Sequence, residues 1–106
     1  MAIPSQESKI IVYGHRWCGM VRPVLEALDR AGAPYEYVNI HEDAAGRERV
    51  REINHGNESV PTLVFPDGST LTEPTLAALN VRLRAMGFET PPPGWLQVIK
   101  RLFGRG

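Results

Sequence analysis

The stretch Lys9-Ile10-Ile11-Val12-Tyr13-Gly14-His15-Arg16-Trp17-Cys18-Gly19-Met20-Val21 decides how the chain reads. Its first half is a β-branched run closed by a glycine, which predicts a short buried strand. His15 to Gly19 predicts a turn. From Val21 onward, Val24, Leu25, Leu28 and Ala31 recur at helical spacing, so a helix is expected over 21–31. Gly32 supplies its stop, and Pro34 prevents resumption. A cysteine therefore stands at a junction from strand to helix.

Working outward, Tyr35 to Ile40 is a second β-rich run, with Tyr35 and Tyr37 on one face and Glu36 and Val38 on the other. Asp43 is placed to cap a helix from Ala44 to about Ile53, with Val50 and Ile53 inward. Arg47, Arg49 and Arg51 alternate with Glu48 and Glu52 and read as a solvated helix face. Val60 to Phe65 reads as a third strand, its proline near the start where a missing donor is tolerated. Pro66-Asp67-Gly68-Ser69 signals a hairpin leading to a short fourth strand, Thr70 to Thr72. A last helix begins at Pro74, and Leu76, Leu79, Val81, Leu83 and Met86 carry it to Gly87.

The order is β-α-β-α-β-β-α. A right-handed βαβ crossover makes the first two strands parallel, and the hairpin adds an antiparallel pair. The expected fold is α/β, a mixed four-stranded sheet flanked by helices on both faces, over residues 1–90. In residues 91–106, Pro91-Pro92-Pro93 is a stiff spacer. Trp95, Val98, Ile99 and Leu102 then line one side of a short amphipathic helix, too short to be stable alone in water. Such a tail folds back onto its domain, or contacts a partner, a second chain or a membrane surface, with Lys100, Arg101 and Arg105 adding charge.

Composition narrows the function. The 106 residues amount to one domain, with 12 Lys and Arg against 12 Asp and Glu. That balance argues against nucleic acid or anionic membrane held by bulk charge. Cys18 is the one cysteine, which excludes an internal disulfide and a zinc site built on several thiolates. His15, His41 and His55 lack metal-ligand spacing and read as surface loop residues; no metal is expected. No signal-peptide pattern opens the sequence, and no run reaches the ~20 apolar residues of a membrane span. A soluble cytoplasmic protein is the expectation.

Cys18 carries the chemistry. A lone cysteine is often a small buried hydrophobe. At the start of a helix, however, unpaired backbone N–H groups and the helix dipole favour thiolate over thiol. His15 and Arg16 are placed to add positive potential, and Trp17 to shield one side. Pro23 leaves two arrangements open. A helix starting at Gly19 would be distorted by it, whereas one starting near Pro23 would no longer aim its dipole at Cys18.

Trp17-Cys18-Gly19-Met20-Val21, followed by Val60-Pro61-Thr62 and by Pro66-Asp67-Gly68-Ser69-Thr70-Leu71-Thr72, resembles the glutaredoxins, nearest their mycoredoxin-like actinobacterial branch. The resemblance spans about residues 9 to 87. It implies a thioredoxin-like fold and a cis Val60–Pro61 bond facing Cys18, whose backbone pairs with a thiol substrate; a trans Pro61 opening a strand is the plain alternative. It also implies that Thr72 and Glu73 contact the charged end of the small thiol. Glu73 replaces a more usual Asp or Asn, and otherwise serves as a capping acid for the last helix. His15 stands where many members carry Lys.

Two departures shape the expected activity. Val21 occupies the place of the second motif cysteine, and Met20 that of an aromatic. Only a monothiol route remains, with Cys18 exchanging with mixed disulfides between proteins and a low-molecular-weight thiol, glutathione or mycothiol. An iron–sulfur cluster is disfavoured, because Val21 stands where cluster-bridging members carry Ser. A non-catalytic thioredoxin-fold adaptor and an iron–sulfur carrier are the alternatives.

Overall fold

The computed structural model describes residues 9–88. Within them the chain runs β1 (Ile10–Gly14), α1 (Val21–Ala31), β2 (Tyr35–Asn39), α2 (Ala44–Ile53), β3 (Thr62–Val64), β4 (Thr70–Thr72) and α3 (Leu76–Ala85). The sheet order is β2-β1-β3-β4. β1 pairs parallel with β2, placing Val12 beside Tyr37, and antiparallel with β3, placing Tyr13 beside Thr62. β3 and β4 form the hairpin, with Leu63 beside Leu71. The anticipated element order and the fold class are both present. The tail helix expected over 91–106 lies outside the described residues.

Alternation along β1 divides the two faces. Ile10 and Val12 are buried with Val24, Leu28, Leu63, Leu79 and Leu83 in one cluster, so α1 and α3 cover that side. Tyr13 points the other way. A Cβ on Gly46 of α2 would meet Val38 Cγ1 at 2.8 Å and Tyr13 Cε1 at 3.4 Å, so α2 closes the second face. Burying the aliphatic side chains of the first cluster supplies the main stabilisation, about 1.5–3 kcal/mol each relative to exposure.

Helix ends follow their sequences closely. Asp43 Oδ1 accepts from the Gly46 N–H at 2.9 Å, and caps α2 as expected. Gly32 ends α1 in the left-handed conformation at φ 71°, which a glycine adopts without a Cβ penalty.

Four details differ from the expectation. α3 begins at Leu76 and not at Pro74, because Thr75 is extended and its Oγ1 accepts from the Ala78 N–H at 3.0 Å. Val81 is 58% exposed and belongs to the outer face of α3. β3 is three residues long, since Val60 and Pro61 precede the paired segment. The basic face of α2 is more than solvated: Arg51 Nε donates to Glu58 at 2.9 Å, and Arg47 Nε donates to the Ile40 carbonyl at 3.2 Å. Among the described residues no helix is long and apolar enough to cross a membrane.

Candidate active site around Cys18

β1 delivers the chain to Gly14, and a tight loop returns it to α1. The Cys18 N–H donates to the His15 carbonyl at 3.1 Å, and the Val21 N–H donates to the Cys18 carbonyl at 3.3 Å. These two bonds wind the loop into successive turns that present the sulfur. Cys18 is half-buried, and its Sγ donates to the Val60 carbonyl at 3.7 Å. The Val60–Pro61 bond is cis. Two segments 42 residues apart in sequence thus meet at one sulfur.

Pro23 fits without distortion. α1 starts at Val21, between the two starts considered from sequence, so the proline is its third residue. The first N–H groups of a helix have no intrahelical acceptor, and proline omits one that would go unused. Val24 is the first residue of α1 whose N–H makes the four-residue helical bond, onto Met20 O at 3.3 Å. α1 has no side-chain N-cap and no acid in its first turn. The first turn of the helix nearest Cys18 therefore carries no acidic side chain of its own.

Val21 is buried and presses on Gly14. A Cβ at Gly14 would lie 2.6 Å from Val21 Cγ2 and 3.3 Å from Tyr37 Cε1. The side chain that replaces the second motif cysteine thus fills the crease between β1, β2 and α1. Tyr37, which sequence reasoning did not single out, belongs to this rim. Burial pushes its phenol above the ordinary range, and Glu42 and Cys18 add to the effect while Arg16 opposes it. Its position on β2 and its alternation were legible from the sequence; its proximity to the loop was not.

The opposite wall is built from backbone and a polar network. The Glu73 N–H donates to the Pro61 carbonyl at 2.7 Å, with Glu73 at φ 49°. That left-handed conformation suits Asn, Asp or Gly better than Glu. Glu73 does not cap α3, since Thr75 holds that role. The Thr72 hydroxyl donates to Asn54 Oδ1 at 2.6 Å. Asn54 Nδ2 in turn donates to Thr62 Oγ1 at 3.1 Å and to the Val50 carbonyl at 3.0 Å. Asn54 therefore ties the end of α2 to both strands beside Pro61. From sequence it signalled only a helix end.

The remaining expected residues lie on the loop itself. Trp17 is 77% exposed, so most of its ring faces solvent instead of covering the sulfur. Arg16 lies with its guanidinium carbon 5.9 Å from the Trp17 ring centroid. His15 is not a free loop residue: its ring stacks on His41, centroids 4.5 Å apart and planes 8° from parallel. Among the described residues no cluster of His, Cys, Asp and Glu could hold a metal ion.

A β-α-β-α-β-β-α sheet with a cysteine ahead of its first helix, facing a cis-proline, defines a thiol protein of the thioredoxin-like class. The chain belongs to the glutaredoxin family, whose model matches residues 10–69. It is 32% identical to mycoredoxin 1 of Corynebacterium glutamicum over 79 residues, covering 74% of this chain and 98% of that protein. A candidate glutaredoxin of Mycobacterium tuberculosis is 36% identical over 74 residues, covering 70% of this chain and 88% of that one. The crystal structure of a thioredoxin-like protein superposes with TM-score 0.62 at 31% identity, over 71% of this chain and 99% of that one. The glutaredoxin of Archaeoglobus fulgidus shares the fold at TM-score 0.62 and 23% identity, over 79% of this chain and 97% of that one. The protein is a mycoredoxin-like glutaredoxin with a glutaredoxin-type redox function.

Proposed function

We propose that this protein removes a low-molecular-weight thiol, glutathione or mycothiol, from its mixed disulfides with proteins by a monothiol route. The observation that carries this reading is Cys18 Sγ placed 3.7 Å from the carbonyl of Val60, at the cis bond to Pro61, in a chain with no other thiol.

The Cys18 thiolate attacks the small-thiol sulfur of the mixed disulfide. The sulfur–sulfur bond of the substrate breaks, the protein thiolate leaves with the electron pair, and Cys18 is joined to the small thiol. A second small-thiol thiolate attacks that small-thiol sulfur. It releases the symmetrical small-thiol disulfide and returns Cys18 as thiolate. The net exchange consumes one free small thiol per mixed disulfide: the protein sulfur is reduced to thiol, and the free thiol is oxidised into the symmetrical disulfide. Each step is an attack on sulfur, and neither needs a resolving cysteine.

The residues have separable tasks in this reading. The Val60 and Pro61 backbone lies alongside the incoming peptide part of the thiol. Thr72 and Glu73 take its charged end. The Thr72 hydroxyl proton is already given to Asn54, so Thr72 contributes its oxygen lone pair or its backbone. Arg16 offers a cation for a carboxylate, and Trp17 a solvent-facing apolar ring on the same loop. His15 supports the loop. Thiol exchange of this kind belongs in a reducing compartment, so we place the protein in the cytoplasm.

The test is turnover of a protein–mycothiol and a protein–glutathione mixed disulfide with the matching free thiol in excess. Release of protein thiol with formation of the small-thiol disulfide is expected, together with a Cys18 adduct trapped when free thiol is withheld. No adduct on Cys18 with either substrate would overturn the reading.

A further inference from the structure

We propose that His41 is a positioning residue for Cys18 and acts through His15. The proposal rests on the reading of Cys18 as the reacting thiol.

The loop between β1 and α1 meets the rest of the fold through the Cys18 Sγ hydrogen bond to the Val60 carbonyl and through His15. Arg16, Trp17, Gly19 and Met20 are exposed, so burial does not anchor it. Cys18 is held from within the loop by the bond from its N–H to the His15 carbonyl. Whatever fixes His15 therefore fixes the start of the turn that carries the sulfur.

His15 is fixed by its ring. The stack on His41, at 4.5 Å and 8°, joins the Cys18 loop to the turn between β2 and α2. Such offset aromatic pairs have a preferred geometry and add stabilisation beyond buried area. His15 Nδ1 is buried and has no hydrogen-bond partner. The face of the His15 ring is what meets His41.

The turn on the other side is held by several bonds. The His41 N–H donates to Asn39 Oδ1 at 2.8 Å, and the Glu42 N–H donates to the Asn39 carbonyl at 3.0 Å. The Ile40 N–H donates to the Gly14 carbonyl at 2.9 Å, and Arg47 Nε donates to the Ile40 carbonyl at 3.2 Å. His41 thus sits on an anchored turn at the end of the parallel strand pair. The loop takes part of its order from that turn through this pair of rings. Neither histidine needs to touch the substrate for this.

The test uses the full chain and the rate of iodoacetamide alkylation of Cys18 at fixed pH, alongside thiol transfer from a protein mixed disulfide. His41→Ala should slow alkylation by about three- to tenfold, the factor a stacked pair supplies. His41→Phe keeps a flat ring at that place and should recover most of the wild-type rate. Unchanged alkylation in His41→Ala would overturn the proposal, as would a His41→Phe rate as low as that of His41→Ala. Wild-type protein that alkylates at Cys18 but transfers no thiol would sink the proposed function alone, while the alkylation comparison would still decide the role of His41.

Discussion

α1 and α3 begin in opposite ways. Thr75 is extended at φ −73° and ψ 161°, and its hydroxyl oxygen accepts the Ala78 N–H to cap α3. Asp43 does the same for α2. Met20, ahead of α1, is helical in backbone at φ −89° and ψ −11° and offers no side-chain oxygen. A side-chain cap is worth about 1 kcal/mol. Two helices use that stabilisation, and the helix next to Cys18 forgoes it. The comparison teaches that the helix end next to the thiol is the one built without a side-chain cap.

The sharpest way to break the contrast is at the sulfur. Cys18→Ser should abolish thiol transfer completely, with the melting temperature close to wild type, measured by protein-thiol release and by thermal unfolding. Steric changes at the two glycines that seat α1 and α2 come next. Gly14→Ala drives a methyl to 2.6 Å from Val21 Cγ2, and Gly46→Ala drives one to 2.8 Å from Val38 Cγ1. Each should destabilise by about 1–3 kcal/mol in urea unfolding. Only Gly14→Ala should also slow Cys18 alkylation, because only there does the displaced side chain open α1.

The caps give the middle of the range. Asp43→Ala and Thr75→Ala should each cost about 1 kcal/mol in chemical unfolding and leave the Cys18 alkylation rate unchanged. Glu73→Asn should stabilise by about 0.5–1 kcal/mol, since Asn tolerates the left-handed backbone better; a differential melting curve reads it.

The smallest effect is a pH dependence far from the sulfur. The Ser69 hydroxyl and N–H hold the Asp67 carboxyl below the usual carboxylate range. A lowered folded value stabilises the folded state at neutral pH. That contribution fades as the pH falls below about 4, the unfolded value, toward the folded one. Asp67→Asn should flatten that part of the acid unfolding curve.

Much of this was readable in advance, and the reasons are local. Ile10 to Gly14 alternates on a strand, and Val21 to Ala31 repeats at helical spacing. Asp43 and Gly32 are residue types that serve one kind of position. Cys18 stood out because a thiol at a strand-to-helix junction has a chemical consequence. Thr75 as the α3 cap was missed in favour of Pro74, since a proline and a hydroxyl compete for the same few positions at a helix start. The roles of Asn54, Tyr37 and the His15–His41 stack are not legible in the sequence, because each depends on a contact with another segment.

Sequence by itself determined the element order and the single thiol, Cys18. Those follow from periodicity and from side-chain chemistry, which are properties of short stretches. Only tertiary structure decided that α1 starts two residues before Pro23, that the sulfur meets the Val60 carbonyl, and that one histidine rests on another. The last two are distances between segments far apart along the chain, and such distances are set by how the strands align and the helices seat on them.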